Sequence, residues 1–182
     1  VKEDGSVQLV VSASLATGSA ATDYMTITIT GINSAWGVNT AVSGGTYNSA
    51  TGTWTKTIAA GQDFTGGPVF SPPANSDADL NGLVATARQF DASNTLLGSA
   101  NDGARIVTDA VIDAPSINAP DVTGNEDDAI PLSITVSRGG DTLDDSEVLS
   151  NVTLSGVPAG ANLNHGTNLG GGVWSLTTAD LA

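Results

Sequence analysis

The residues with enough density to do chemistry lie in one stretch, "SRGGDTLDDSEVLS". There Asp141, Asp144, Asp145 and Glu147 fall within seven residues with no Lys or Arg between them. Carboxylates about 4 Å apart repel by about 4 kcal/mol at an effective dielectric near 20. Crowding of this kind belongs either to a hydrated turn or to a site that takes a cation. Smaller groups of acids recur along the chain: Glu3 and Asp4, Asp77 and Asp79 in "NSDADLNG", Asp109 and Asp113 in "TDAVIDAP", and Glu126, Asp127 and Asp128 in "NEDDAI". All offer oxygen donors, the ligands of hard cations. Zinc would call for His or Cys, and the chain has one His and no Cys. That histidine, His165 in "NLNHGTN", has no base partner in the sequence to make it catalytic. Nucleophile-elbow, phosphate-loop and HExxH patterns do not occur, and "LGGGVW" lacks the spacing of a calcium-binding β-roll. No enzyme is expected.

The elements that must carry these acids are strands. The chain has 182 residues, 40% of them hydrophobic, which suffices for a packed core. Twenty-two glycines and heavy use of Thr, Ser, Val and Ile describe a β-rich chain with many turns. Five basic residues against nineteen acidic ones leave no basic face for nucleic acid. No apolar run is long enough to cross a bilayer, so membrane insertion is not expected. The opening "VKEDG" reads as part of a longer protein, without a leader. Period-two alternation puts Val7, Leu9, Val11 and Ala13 on one face of "VQLVVSA", and Met25, Ile27 and Ile29 on one face of "MTITITGI". "GLVATARQF" and "ARIVTDAVI" read as two more strands flanking the loop "DASNTLLGSAND". No long helix is predicted.

The chain also repeats itself. "EDGSVQLVVSAS" aligns without gaps on "EDDAIPLSITVS", "MTITITGI" on "SNVTLSGV", and "GTWTKTIAAGQDF" on "GVWSLTTADLA". Glu3 thus faces Glu126, Gly31 faces Gly156 and Trp54 faces Trp174, in order and at nearly one period. The prediction is an all-β tandem of Ig-like, cadherin-like β-sandwiches. Module one spans 1–113 with its first strand missing, and module two spans 114–182 with its last strands missing. An incomplete second module would leave open sheet edges and be unstable alone.

The stretches "NEDDAIPLSITVS", "LSGVPAGANLNHGTNLGGGVWSLTTADLA", "PPANSDADL" and "VTDAVIDAP" resemble the tandem Ig-like or cadherin-like modules of giant RTX adhesins of Gram-negative bacteria. The likeness spans nearly the whole chain. It implies an extracellular, cell-surface spacer in adhesion and biofilm formation, exported by type I secretion and stiffened by Ca²⁺ between modules. Its partners would be neighbouring modules of the same chain, with any host-surface or glycan ligand bound by other domains. Copy one departs from the pattern between Ile32 and Trp54, where a longer stretch adds Trp36 and Tyr47. The alternative is a carbohydrate-binding module using this 33–53 insertion, with Trp36 and Tyr47 as a sugar-stacking platform; packing onto its own sheet is the plainer expectation.

On an Ig-like scaffold the acids acquire places. Glu3 and Asp4 fall at the bottom of module one with Asp77 and Asp79, while Asp109 and Asp113 fall in its last strand and the linker. Asp141, Asp144, Asp145 and Glu147 fall at the top of module two. These ten residues are the expected Ca²⁺ ligands of one junction, and Glu126, Asp127 and Asp128 belong to the next. The matching top loop of module one, "LATGSAATDYM", carries only Asp23, so little calcium is expected there.

Overall fold

The structure is a computed structural model and describes residues 1–125, 127–139 and 148–181. The chain divides into two compact units, Val1–Val111 and Ile112–Ala182. Both are built from antiparallel strands, with no α-helix among the described residues. The fold is all-β, of the Ig-like sandwich kind.

Unit 1 runs β1 (Val7–Gln8), β2 (Val11–Ala13), β3 (Tyr24–Thr30), β4 (Gly37–Asn39), β5 (Thr46–Asn48), β6 (Thr53–Ile58), β7 (Phe64–Gly66), β8 (Val69–Ser71), β9 (Leu80–Phe90) and β10 (Leu96–Ile106). One layer has the order β10-β9-β3-β6-β5; the other comprises β1-β8-β4 and the β2-β7 pair. Strand β3 shows why the sequence takes this form. Met25, Ile27 and Ile29 are buried while the alternate threonines face outward, as a period-two strand requires. Across the sandwich Phe70 meets this face, and Trp54, Leu83 and Ile106 complete the core. Val7, Leu9, Val11 and Ala13 all pack against it, the face predicted for them. The β1–β8 and β2–β7 pairings are separated at Pro68, whose ring brings no N–H to the ladder.

Two features differ from expectation. "LLGSAND" is the first part of β10 rather than loop, pairing with β9 from Leu96↔Phe90 onward. The insertion between Ile32 and Trp54 contributes β4 and β5, one to each layer.

Unit 2 runs β11 (Ser116–Asn118), β12 (Thr135–Ser137), β13 (Val152–Leu154), β14 (Thr167–Gly170) and β15 (Val173–Leu176), closing on a 3-10 turn, Thr178–Leu181. Strands β11 and β12 pair together, and β13-β15-β14 form a second sheet. The repeat is visible in atomic detail. Ile29 pairs with Trp54, and at the matching positions Leu154 pairs with Trp174. The Ile32 N–H donates to the Gly52 carbonyl at 3.1 Å, and the Val157 N–H donates to the Gly172 carbonyl at 3.0 Å. Gly52 and Gly172 both have positive φ (59° and 76°). A Cβ at either would come within 2.2 Å of the Ile32 carbonyl oxygen or 2.6 Å of the Val157 one, so only glycine fits. Asn48 and Asn168 close the same hairpin with the same side-chain turn, accepting the N–H two residues on at 3.0 and 2.8 Å. No counterpart of β7–β10 occurs among the described residues of unit 2.

Candidate functional site

One end of unit 1 draws three acid-bearing segments together. The segment Val1–Glu3 lies parallel to the run after β10, through a bridge between Lys2 and Asp109. The Glu3 N–H donates to the Asp109 carbonyl at 3.1 Å and the Asp109 N–H to the Val1 carbonyl at 2.6 Å. The Gly5 N–H returns to the Lys2 carbonyl at 2.9 Å, which turns the chain toward β1. Glu3 is only 3% exposed, and its carboxylate accepts the Val111 N–H. A buried carboxylate is tolerable only where donors or cations meet it.

The loop before β9 reaches the same place. Asp79 Oδ1 accepts the Thr108 N–H at 2.9 Å, and the Thr108 hydroxyl donates to the Ala78 carbonyl at 3.4 Å. Asn75, at φ 52°, and the Ser76 hydroxyl, which accepts the Ala78 N–H at 3.4 Å, shape this loop. Asp77 is half-buried, whereas Asp4, Asp79 and Asp109 are exposed. Glu3, Asp79 and Asp109 are therefore brought together through backbone contacts. Among the described residues, no three acidic or histidine side chains approach closely enough to hold an ion by themselves. The donors here are all oxygens, the ligand type that hard cations such as calcium take.

In unit 2, Asp113 is half-buried at the start of the unit. Gly139 is pressed against the segment that carries it, because a Cβ on Gly139 would meet the Ala114 carbonyl oxygen at 2.4 Å and Asp113 Cβ at 3.5 Å. Ser116 and Ser137, paired across β11 and β12 with hydroxyls 2.7 Å apart, hold that alignment. Asp113 thus stands beside Gly139, the last described residue before the acidic stretch. The predicted ligands Asp141, Asp144, Asp145 and Glu147 lie outside the described residues, as does Glu126. Asp127 and Asp128 are exposed; Asp128 accepts the Asn125 side-chain amide at 3.2 Å.

The proposed sugar platform requires correction. Trp36 is 4% exposed and belongs to the core, so it has no ring face to offer a sugar. The Asn33 side chain accepts the Ala35 N–H at 2.9 Å and tucks the ring inward, while β4 pairs Val38 with Phe70. Tyr47 packs against the same core, its hydroxyl buried without a hydrogen bond. His165 is exposed.

Sequence reasoning missed the role of Asp23. It is 5% exposed at the other end of unit 1, where its carboxylate accepts the Ala20 N–H at 3.0 Å and the Gln89 amide at 3.1 Å. Gln89 also donates to the Ser19 hydroxyl at 2.7 Å and accepts the Ala16 N–H at 3.1 Å. A lone acid in a loop of small residues was the available signal. No known protein family, curated protein or solved structure matches the chain.

Proposed function

We propose that the chain is a calcium-stiffened spacer from a bacterial cell-surface adhesin, a tandem of Ig-like modules with a mechanical rather than catalytic role. The observation that carries this reading is the gathering of Glu3, Asp79 and Asp109 at one end of unit 1. Asp113, which packs beside Gly139 in unit 2, adds a carboxylate near the residue that precedes the acidic stretch. Glu3, Asp4, Asp77, Asp79 and Asp109 would supply carboxylates from the first module, Asp113 from the linker, and Asp141, Asp144, Asp145 and Glu147 from the second. Ca²⁺ would supply positive charge and a demand for six to eight oxygens, met by carboxylates and carbonyls together. Without it the acids repel and the joint flexes; with it, their repulsion becomes shared ligation and a row of modules is held extended. Protonation of the carboxylates at low pH weakens the hold. The setting is the outer face of a bacterium, where the same polypeptide carries further modules and a distal binding tip.

Thermal melting with added calcium and then with chelator tests the proposal. An ion that binds the folded state at a hundredfold excess over its Kd stabilises it by about 2.7 kcal/mol, a rise of order 10 °C in Tm. Identical melting under both conditions defeats the reading.

A further inference from the structure

Strand β9 opens on a break in its own ladder. It pairs with β10 at Leu80↔Ile106 and next at Leu83↔Ala104, so Asn81 and Gly82 stand against Arg105 alone. Its pairing with β3 begins only at Val84. Two residues facing one make a β-bulge, in which the extra residue is left out of the ladder. Leu80 and Leu83 on either side are 2% and 1% exposed, whereas Asn81 and Gly82 both face solvent. Gly82 holds φ 77°, a left-handed backbone that glycine adopts freely. Its carbonyl oxygen lies close to Gly31, where a Cβ would come within 2.3 Å of it, but nothing stands within 4 Å of a Cβ built on Gly82 itself. Buried leucines thus hold an Asn-Gly step out in water, at the only place where this dipeptide occurs in the chain.

We propose that Asn81 is a site of spontaneous deamidation in the folded protein. Asn-Gly is the step at which the next backbone nitrogen reaches a side-chain carbonyl most readily. One methylene sets a five-membered ring, and glycine has no Cβ to obstruct the approach. The Gly82 nitrogen gives up its proton and bonds to Asn81 Cγ; the Cγ–Nδ2 bond breaks, and ammonia departs with that proton. Water then opens the cyclic imide at one of its two carbonyls, leaving aspartate or isoaspartate at 81. The net change is one water taken up and one ammonia released, with no oxidant or cofactor. Ring closure needs a peptide outside the ladder, and the bulge supplies it. Other asparagines are placed differently. Asn33, Asn39, Asn48 and Asn168 direct the side-chain oxygen to the N–H two residues on, at 2.9, 2.9, 3.0 and 2.8 Å, and each is followed by a residue with a Cβ. The product carboxylate arises two positions beyond Asp79, whose Oδ1 accepts the Thr108 N–H at 2.9 Å. It makes the chain one unit more negative than its formal −14 and adds an acid to the end of unit 1 that gathers Glu3, Asp79 and Asp109. The modification does not depend on calcium being bound there.

The test follows the folded, unsubstituted chain in warm, mildly alkaline buffer beside a sample unfolded in urea. Tryptic cleavage after Lys56 and Arg88 isolates residues 57–88. Electron-transfer fragmentation then places any amide-to-acid mass gain and tells isoaspartate from aspartate. The expected result is loss of the Asn81 amide in the folded sample, ahead of every other asparagine, with an isoform one charge more acidic on isoelectric focusing. Asn81→Gln, which would have to close a six-membered ring, should lack that isoform. An Asn81 amide that outlasts Asn75 in the same peptide, or that converts only in urea, overturns the proposal. So does an acidic isoform that persists in Asn81→Gln.

Discussion

At the scale of single residues, the buried acids carry the sharpest consequences. Glu3→Ala removes the acceptor of the Val111 N–H and leaves that donor without its carboxylate, a loss of about 1–3 kcal/mol. Urea melting should show a lower midpoint with an unchanged slope. Asp91 behaves differently because it lies at the surface. The Thr95 N–H it accepts, with that of Ser93, holds its pKa below the ordinary value of 3.8. Its contribution to the turn is thus complete above the unfolded value and is lost as pH falls through the lower, folded one. An NMR titration of the Asp91 carboxyl should give a midpoint below 3.8, and Asp91→Asn should abolish the accompanying shift of the Thr95 amide. Trp36→Ala hollows the core of unit 1 and should cost about 3–5 kcal/mol in a denaturant melt. These roles were not equally legible in the sequence. Burial of Glu3 depends on Asp109 and Val111, more than a hundred positions away, whereas packing of Trp36 onto its own sheet was the plainer expectation and its near-complete burial agrees with it.

At the scale of elements, legibility followed burial. Strand β3 could be read because one face meets the core and the other meets water, so residue type alternates. The early part of β10 could not, since its residues are exposed on both faces and only backbone pairing with β9 defines it. The short β4 and β5 were hidden by turn-forming residues, although the Asn side-chain turns that frame them are common to hairpins. The repeat was legible in part for a backbone reason. Gly52 and Gly172 hold positive φ against a carbonyl where no side chain fits. Gly52→Ala should therefore destabilise unit 1 by about 1–3 kcal/mol from backbone strain alone, and Gly172→Ala should disturb the β14–β15 hairpin of unit 2. Circular dichroism melts of both variants would measure these effects. Equal stability in Gly52→Ala would mean that the close approach relaxes freely.

At the scale of the whole molecule, the acidic excess and the paired modules belong together under the calcium reading. Asp113→Asn with Asp145→Asn should reduce the calcium-dependent rise in Tm more than either change alone, with the melt in chelator left nearly unchanged; isothermal titration would give the loss of affinity directly. In the structure the Glu3 N–H meets the Asp109 carbonyl and the Asp79 carboxylate accepts the Thr108 N–H. The sequence did not foresee that Val1–Glu3 would lie alongside the run that leaves β10. If the chain carries tension, as the spacer proposal has it, that parallel arrangement matters. Tension that drags residue 1 backward and residue 111 forward slides two neighbouring strands past each other, so the Glu3–Asp109 and Asp109–Val1 hydrogen bonds resist in concert instead of parting one after another like a zipper. Rupture of unit 1 between those two points should need greater force than peeling it from any other pair of handles.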